Sequence, residues 1–282
     1  MVRLFTEVQP QPSPVRLRLG SRILVLGSCF ADAAGRKMEA AGFDVCVNPF
    51  GTLYNPCSVR SALQRLDGGT PFTEADCVGM GAGSPLVCSF SHHTSFARPT
   101  REEFLGNANE SLTRASAFWK DCDTVIVSLG TSMVWKRADD GSVVSNCLKR
   151  PAAEFKREML DLETISGILR DCIGLGAPRR FIFTVSPIRH LSDGAHVNAV
   201  SKARLLLAVD SLAGAEYFPA YEIMLDELRD YRFYAEDLCH PSPVAENIIW
   251  ERFLGSFVRE EDLGRIHENE KAARRAAHRP MH

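Results

Sequence analysis

Two side chains that can act as nucleophiles, Ser28 and Cys29, stand side by side directly after a short apolar run. Residues 22–26 are rich in β-formers, Gly27 permits a sharp turn, and residues 31–41 have a helix-forming composition. The pattern predicts a buried strand followed by a helix whose first turn carries the hydroxyl and the thiol. The free N–H groups of a helix N-terminus favour negative charge, and therefore the thiolate form of a cysteine. An ordinary strand–helix turn with a small buried cysteine would give the same pattern.

A general base is indicated near the C-terminus by Asp237 and His240. Ser242 and Pro243 follow as the predicted N-cap and first position of a helix over residues 244–257. We therefore expect His240 on a rigid turn, where Asp237 can accept a hydrogen bond from one imidazole nitrogen. That bond would fix the tautomer and leave the other nitrogen free as a base. The alternative is an aspartate that shapes a turn beside a surface histidine.

The elements that must position these groups alternate between strands and helices, which predicts an α/β fold with a parallel sheet and helices on both faces. Three of the strands are near-continuous apolar runs, as expected for strands covered on both sides. Strands are predicted over residues 22–26, 44–47, 124–129, 180–185 and 215–218. Helices are predicted over residues 31–41, 58–66, 109–120, 152–172, 195–212, 221–230 and 244–257.

Two segments depart from this alternation. Residues 133–136 and 143–147, joined by an Asp-Asp-Gly turn, predict a small hairpin. Residues 67–100 are rich in Gly, Ser and Pro and are too long for a plain connection, so they predict a functional loop or a cover over the site. His92 and His93 lie in this segment; they are candidates to line the site, with a plain surface loop as the alternative.

Composition places the chain among ordinary globular proteins. It is 45% hydrophobic and 24% charged with a formal net charge of −2, which favours neither nucleic acid nor a membrane surface as a partner. No apolar run approaches the length of a membrane span, and residues 1–20 lack the apolar core of a signal peptide. The nine cysteines include no Cys-x-x-Cys pair, which favours free thiols in the cytoplasm and predicts no metal site. One domain is predicted over residues 1–282, with an N-terminal extension (1–20), a core (about 22–257) and a polar, basic tail (264–282).

Taken together, these signals resemble the GSCFA family, a member of the SGNH (GDSL-like) hydrolase superfamily. That superfamily carries a nucleophile after the first strand and Asp-x-x-His before the last helix. The resemblance extends from about residue 22 to residue 257 and rests on six ordered motifs, at residues 27–31, 48–52, 128–132, 146–149, 185–190 and 237–241. It implies a three-layer α/β/α, flavodoxin-like fold with a central parallel sheet of strand order 2-1-3-4-5. Ligands would bind at the carboxyl ends of the strands.

The resemblance also implies roles for single residues. The superfamily nucleophile stands two residues after the glycine, which is Cys29; a shift of one residue would give Ser28, but the strand-to-glycine spacing favours Cys29. Gly51 matches the glycine whose N–H points into the oxyanion hole. The oxyanion-binding Asn of the third block is replaced by Ser132, a shorter donor that follows Thr131. Because the loss of one oxyanion donor can cost roughly 10²–10³ in rate, this replacement bears directly on activity.

The implied activity is that of an esterase or acyltransferase acting on a small acyl ester, with a carbohydrate O-acyl group as a candidate substrate. The nucleophile would attack the acyl carbonyl, His240 would take and return the proton, and Asp237 would orient His240. Arg189 and His190 follow the fourth strand and are candidate substrate-binding residues, although an internal ion pair is the commoner role of such an arginine. No cofactor is predicted. The alternative is a non-catalytic binding or scaffold protein that retains the fold.

Overall fold

The chain folds into alternating strands and helices in a computed structural model that describes residues 5–277. Within these residues the strands are β1 (Arg22–Gly27), β2 (Asp44–Val47), β3 (Val78–Gly79), β4 (Val87–Cys88), β5 (Thr124–Leu129), β6 (Met133–Arg137), β7 (Val143–Val144), β8 (Phe155–Met159), β9 (Arg180–Val185) and β10 (Ala215–Tyr217). The helices are α1 (Cys29–Ala41), α2 (Pro56–Gly68), α3 (Arg101–Asp121), α4 (Leu162–Ile173), α5 (Ala195–Asp210), α6 (Ala220–Glu222), α7 (Pro243–Phe257) and α8 (Glu260–Ala277).

Five strands form the central parallel sheet, in the order β2-β1-β5-β9-β10. Counted among themselves they stand in the order 2-1-3-4-5, and the predicted three-layer α/β/α class is confirmed. The register pairs Gly27 with Ser128, and Leu129 with Val185. The segments that follow β1, β5 and β9 therefore meet at one edge of the sheet, its carboxyl edge.

Two apolar cores cover the two faces of the sheet. Successive residues of β9 point to opposite sides, so Phe181 and Phe183 pack in one core and Ile182 packs in the other. The first core is completed by α2, α3, α4 and α5, and the second by α1, α7 and α8. Full burial of each such side chain stabilises the fold by about 1.5–3 kcal/mol.

The prediction of one helix over residues 152–172 is wrong in its first half. Ala152–Glu154 form a 3₁₀ turn and β8 pairs antiparallel with β6; the helix α4 begins only after Asp161, which caps it. Buried and exposed side chains alternate along β8 from Phe155, a period of two that suits a strand. β8 joins the predicted hairpin, formed by β6 and β7, in a three-stranded sheet.

The segment around Leu17 and the helix α8 pack on the second core. Leu17 is buried and pairs with Val258. In α8, Ile266 is buried and Asn269 Nδ2 donates to the Ala41 carbonyl over 2.8 Å, so most of the predicted tail is a docked helix. The tail's last residues, 278–282, lie outside the described residues, as do residues 1–4 of the predicted extension. Among residues 5–277, no helix combines the length and the apolar character needed to cross a bilayer.

His92 is a core residue and not part of a surface loop. Its side chain is fully buried, and Nδ1 lies 2.6 Å from Ser89 Oγ. The ring is surrounded by four aromatic side chains, those of Phe50, Phe72, Phe96 and Phe104. Burial lowers the pKa of His92 to about 3, so the ring is neutral at ordinary pH.

This buried histidine should make the protein sensitive to acid. Below the unfolded-state pKa of about 6.5, the histidine of the unfolded chain binds a proton that folded His92 does not bind. The free energy of unfolding therefore decreases as the pH is lowered. The loss attributable to His92 should reach about 2–3 kcal/mol between pH 7 and pH 4.5. His92→Leu should remove that part of the loss in urea unfolding at the two pH values. His196→Leu, at an exposed position, should keep the wild-type pH dependence. An unchanged pH dependence in His92→Leu would contradict the expectation.

Candidate active site

A cleft of about 330 Å³ opens at the carboxyl edge of the sheet. It lies where the segments after β1, β5 and β9 meet the small antiparallel sheet and the turn before α7. Its walls are formed by Cys29, Tyr54, Asn55, Thr131, Met133, Trp135, Val144, Ser145, Arg157, Ile188, Arg189, His190 and His240. Two distant parts of the sequence, the strand–helix turn at Cys29 and the turn at His240, therefore line one cleft.

The turn that presents Cys29 requires glycine at position 27. Gly27 has a φ of +135°, and a Cβ there would lie 2.1 Å from the Ser128 carbonyl oxygen on the neighbouring strand. The Gly27 N–H donates to Asn48 Oδ1 over 2.8 Å, and its carbonyl accepts from Leu53 N–H over 2.7 Å. The end of β1 is thereby fixed both to β5 and to the segment that follows β2.

The two candidate nucleophiles face different surroundings. Ser28 is 1% exposed and caps α1: its Oγ accepts from the Phe30 N–H over 3.3 Å and lies 3.1 Å from Ser128 Oγ. Cys29 is half-buried, is the first residue of α1 and lines the cleft. The structure thus brings Cys29 into the cleft and uses Ser28 to begin the helix.

Tyr54 contacts the thiol, a contact that the sequence analysis missed. Its hydroxyl lies 3.3 Å from Cys29 Sγ and accepts a hydrogen bond from Thr52 Oγ1 over 3.3 Å. Burial, followed by the bond to Cys29, raises the pKa of Tyr54 to about 12, so the phenol keeps its proton. Because Thr52 occupies an acceptor position, the phenolic O–H can donate to the sulfur and stabilise a thiolate. The available signal was a tyrosine two residues beyond the motif at residues 48–52.

The Asp237–His240 pair has the geometry expected of an oriented base. Asp237 Oδ2 lies 2.5 Å from His240 Nδ1, and Oδ1 accepts from the backbone N–H groups of His240 and Cys239, each over 2.9 Å. These backbone bonds, together with the bond from the imidazole, lower the pKa of Asp237 to about 2. With Nδ1 engaged, Nε2 is the nitrogen left for proton transfer.

Arg189 holds this turn in place. Its Nη1 donates to the Leu238 carbonyl over 3.1 Å and its backbone N–H donates to the Cys239 carbonyl over 3.1 Å. No carboxylate lies within salt-bridge distance of Arg189 in the described part of the chain. The side chain therefore ties the segment after β9 to the His240 turn and keeps an unpaired positive charge on the cleft.

A buried lysine joins the ends of two central strands behind the cleft. Lys202 is 1% exposed, and its Nζ donates to the carbonyls of Gly130 and Ser186, each over 2.7 Å. Burial lowers the pKa of Lys202 to about 7. Burial, followed by the charge of Lys202, lowers the pKa of His190 to about 4, so His190 presents a neutral ring to the cleft.

The match to known proteins covers this whole arrangement. The family model described as "GSCFA family" matches residues 22–253. The chain belongs to the GSCFA family. Comparisons with curated proteins and with solved structures give no match. The GSCFA match begins at β1 and ends within α7, so it includes both Cys29 and the Asp237–His240 turn.

Two oxyanion donors implied by the resemblance are engaged elsewhere in this GSCFA protein. The Gly51 N–H donates to the Asn48 carbonyl over 2.7 Å within a tight turn, so Gly51 does not offer a free donor. Ser132 is fully buried: its N–H and its hydroxyl bond to Ser201 Oγ over 2.8 and 3.1 Å. Thr131 does line the cleft, with its Oγ1 3.0 Å from Ser201 Oγ.

The predicted cover over the site is not formed by residues 67–100, since none of them lines the cleft. The segment contains β3 and β4, which pair antiparallel, and the buried His92. His93 lies outside the cleft: a Cβ on Gly51 would lie 2.4 Å from His93 Cβ, and the ring Nδ1 lies 3.1 Å from Ser95 Oγ. His93 thus explains why residue 51 is glycine, with a φ of +79°.

Within residues 5–277, no three His, Cys, Asp or Glu side chains come together as a metal site. The groups that the cleft offers are a thiol, a phenol, two imidazoles, two guanidinium groups and neutral amide and hydroxyl groups. Arg157 pairs with Asp193, whereas Arg189 has no such partner among residues 5–277. This set suits nucleophilic attack on a polar carbonyl compound, because an oriented imidazole lines the same cleft as the thiol.

Proposed function

We propose that this GSCFA protein is an SGNH-like esterase or acyltransferase that acts on a small acyl ester, with a carbohydrate O-acyl group as the candidate substrate. The observation that carries the proposal is one cleft lined both by Cys29, at the N-terminus of α1, and by His240, oriented by Asp237. A nucleophile at a positive helix end and an imidazole fixed by a carboxylate are the parts that acyl transfer needs.

In the proposed reaction, Cys29 Sγ attacks the acyl carbonyl carbon and its proton passes to His240 Nε2. A carbon–sulfur bond forms and the carbonyl oxygen becomes an oxyanion. The intermediate collapses, the bond to the leaving alcohol breaks, and that alcohol takes the proton from His240. Water, or the hydroxyl of an acceptor, then attacks the thioester while His240 accepts its proton, and the Cys29 thiol is restored as the acid or new ester leaves.

A non-catalytic binding or scaffold protein is the second candidate. The observation that favours it is the engagement of the Gly51 N–H and of Ser132 in bonds inside the protein, which removes two donors that a related hydrolase would use. The two candidates differ in whether a covalent intermediate forms.

The test is to trap the acyl-enzyme. The full chain is mixed with p-nitrophenyl acetate, quenched in acid, and examined by intact mass and peptide mapping. We expect one acetyl group, on the peptide that contains Cys29, and a burst of nitrophenolate of matching size. Two results would contradict the proposed function and favour the binding protein. One is a Cys29→Ala variant that is acetylated as much as the wild type; the other is a wild-type protein that shows no burst with any activated ester.

A further inference from the structure

We propose that the side-chain amide of Asn55 is an oxyanion donor of this site, acting with the backbone N–H of Cys29. The inference rests on the proposed function. An acyl transfer that passes through a tetrahedral oxyanion needs hydrogen-bond donors aimed at that oxygen. Since Gly51 and Ser132 are engaged elsewhere, the donors must come from other residues of the cleft.

The amide of Asn55 is fixed by the helix that it caps. Its Oδ1 accepts from the Ser58 N–H over 2.9 Å, which identifies the oxygen of the amide and leaves Nδ2 on the other side. Nδ2 has no hydrogen-bond partner among residues 5–277, yet it is not sealed from solvent. Because Asn55 is only 5% exposed and lines the cleft, the cleft is where this donor is accessible.

The backbone places Asn55 beside both the nucleophile and the strand end that carries Ser132. The carbonyl of Tyr54 accepts the N–H groups of Gly130 and Thr131, each over 2.9 Å. Tyr54 is also the residue whose hydroxyl contacts Cys29 Sγ. Asn55 is the next residue in the chain. Its amide therefore lies beside the segment after β5, where the side chain of Ser132 is buried and does not line the cleft.

The second donor follows from the position of Cys29 in α1. As the first residue of the helix, it has an N–H without an acceptor inside the helix, at the end where the helix dipole is positive. Both donors are neutral and keep their protons, so they stabilise charge as it develops on the carbonyl oxygen and take no part in proton transfer. An amide of this kind contributes roughly 10²–10³ in rate.

The test separates the donor from the cap. Asn55→Ser keeps an N-cap side chain of equal quality and removes the long amide donor. We expect the single-turnover rate of Cys29 acetylation by p-nitrophenyl acetate to fall roughly 10²–10³-fold. Alkylation of Cys29 by iodoacetamide forms no oxyanion, so its rate should stay at the wild-type value. Asp161→Ser, a cap exchange at α4 on the exposed surface, should change neither rate.

Three results would overturn the inference. An unchanged acetylation rate in Asn55→Ser would overturn it while the proposed function stands. Acetylation and alkylation that fall together would show that Asn55 merely positions Cys29, and would also overturn it. A wild-type protein that is never acetylated would remove the proposed function, and the inference with it.

Discussion

Cys29→Ala is expected to abolish the acyl-enzyme and to lower turnover of an activated ester by roughly 10³–10⁶-fold, because it removes the atom that bonds to the acyl group. Ser28→Ala is expected to retain the acyl-enzyme. It should instead lower the free energy of unfolding by about 1–3 kcal/mol, because it deletes the cap of α1 and leaves the buried Ser128 hydroxyl without this partner. Burst kinetics of both variants measure the acyl-enzyme, and urea unfolding of both variants measures the free energy of unfolding.

Alkylation gives an independent check on the nucleophile. Burial raises the pKa of Cys46 and of Cys88 to about 11 and that of Cys172 to about 12, so these thiols are poor competitors. Iodoacetamide should therefore modify Cys29 before Cys46, Cys88 and Cys172, as measured by peptide mass. The activities of the two variants provide the contrary outcome. A folded Ser28→Ala variant that is inactive, together with an active Cys29→Ala variant, would identify Ser28 as the nucleophile.

Asp237→Asn is expected to lower kcat by roughly 10²–10⁴-fold with the fold intact. The amide can still accept the backbone N–H bonds that shape the turn through its oxygen. Its NH₂ group would then face His240 Nδ1 and favour the tautomer in which Nε2 carries the proton, so Nε2 could no longer act as a base. Turnover and circular dichroism, measured on the same preparation, separate lost chemistry from lost structure.

Asp230→Asn is the matched control for this substitution. Asp230 also uses a carboxylate oxygen to accept a backbone N–H in a turn, that of Arg232 over 2.9 Å, but it does not line the cleft. It should keep wild-type turnover. Full activity in Asp237→Asn would make Asp237 a turn residue only.

The parts of the fold that could be predicted are those encoded by local pattern. The apolar runs of β1, β5 and β9 lie in the middle of the sheet, and the turn chemistry at Gly27 and before α7 is present in short stretches of sequence. The prediction of one helix over residues 152–172 is wrong because part of its first half becomes a strand through pairing with β6, which no local pattern reports.

The candidate site could be predicted only in part for a similar reason. Cys29, Asp237 and His240 are marked by spacing along the chain. Tyr54 and Asn55 reach the cleft because the Tyr54 carbonyl binds the segment after β5, a contact between distant parts of the chain that no local pattern reports. Gly51 has the residue type that the resemblance implies and Ser132 replaces the implied Asn, but in both residues the donor is engaged by another hydrogen bond of the folded chain.

The position of β1 in the sheet sets the order in which the site is assembled. Of the strands within residues 5–277, β1 is synthesised first, but a contact such as that between Arg22 N–H and Asp123 Oδ2 joins residues 101 positions apart. Parallel pairings over such separations form slowly, because long intervening chain must be ordered first. His240 leaves the ribosome later still. A nascent or truncated chain that ends before this residue would carry the Cys29 thiol without the base that we propose for it. Acylation of Cys29 should therefore appear only when the His240 turn and α7 are in place.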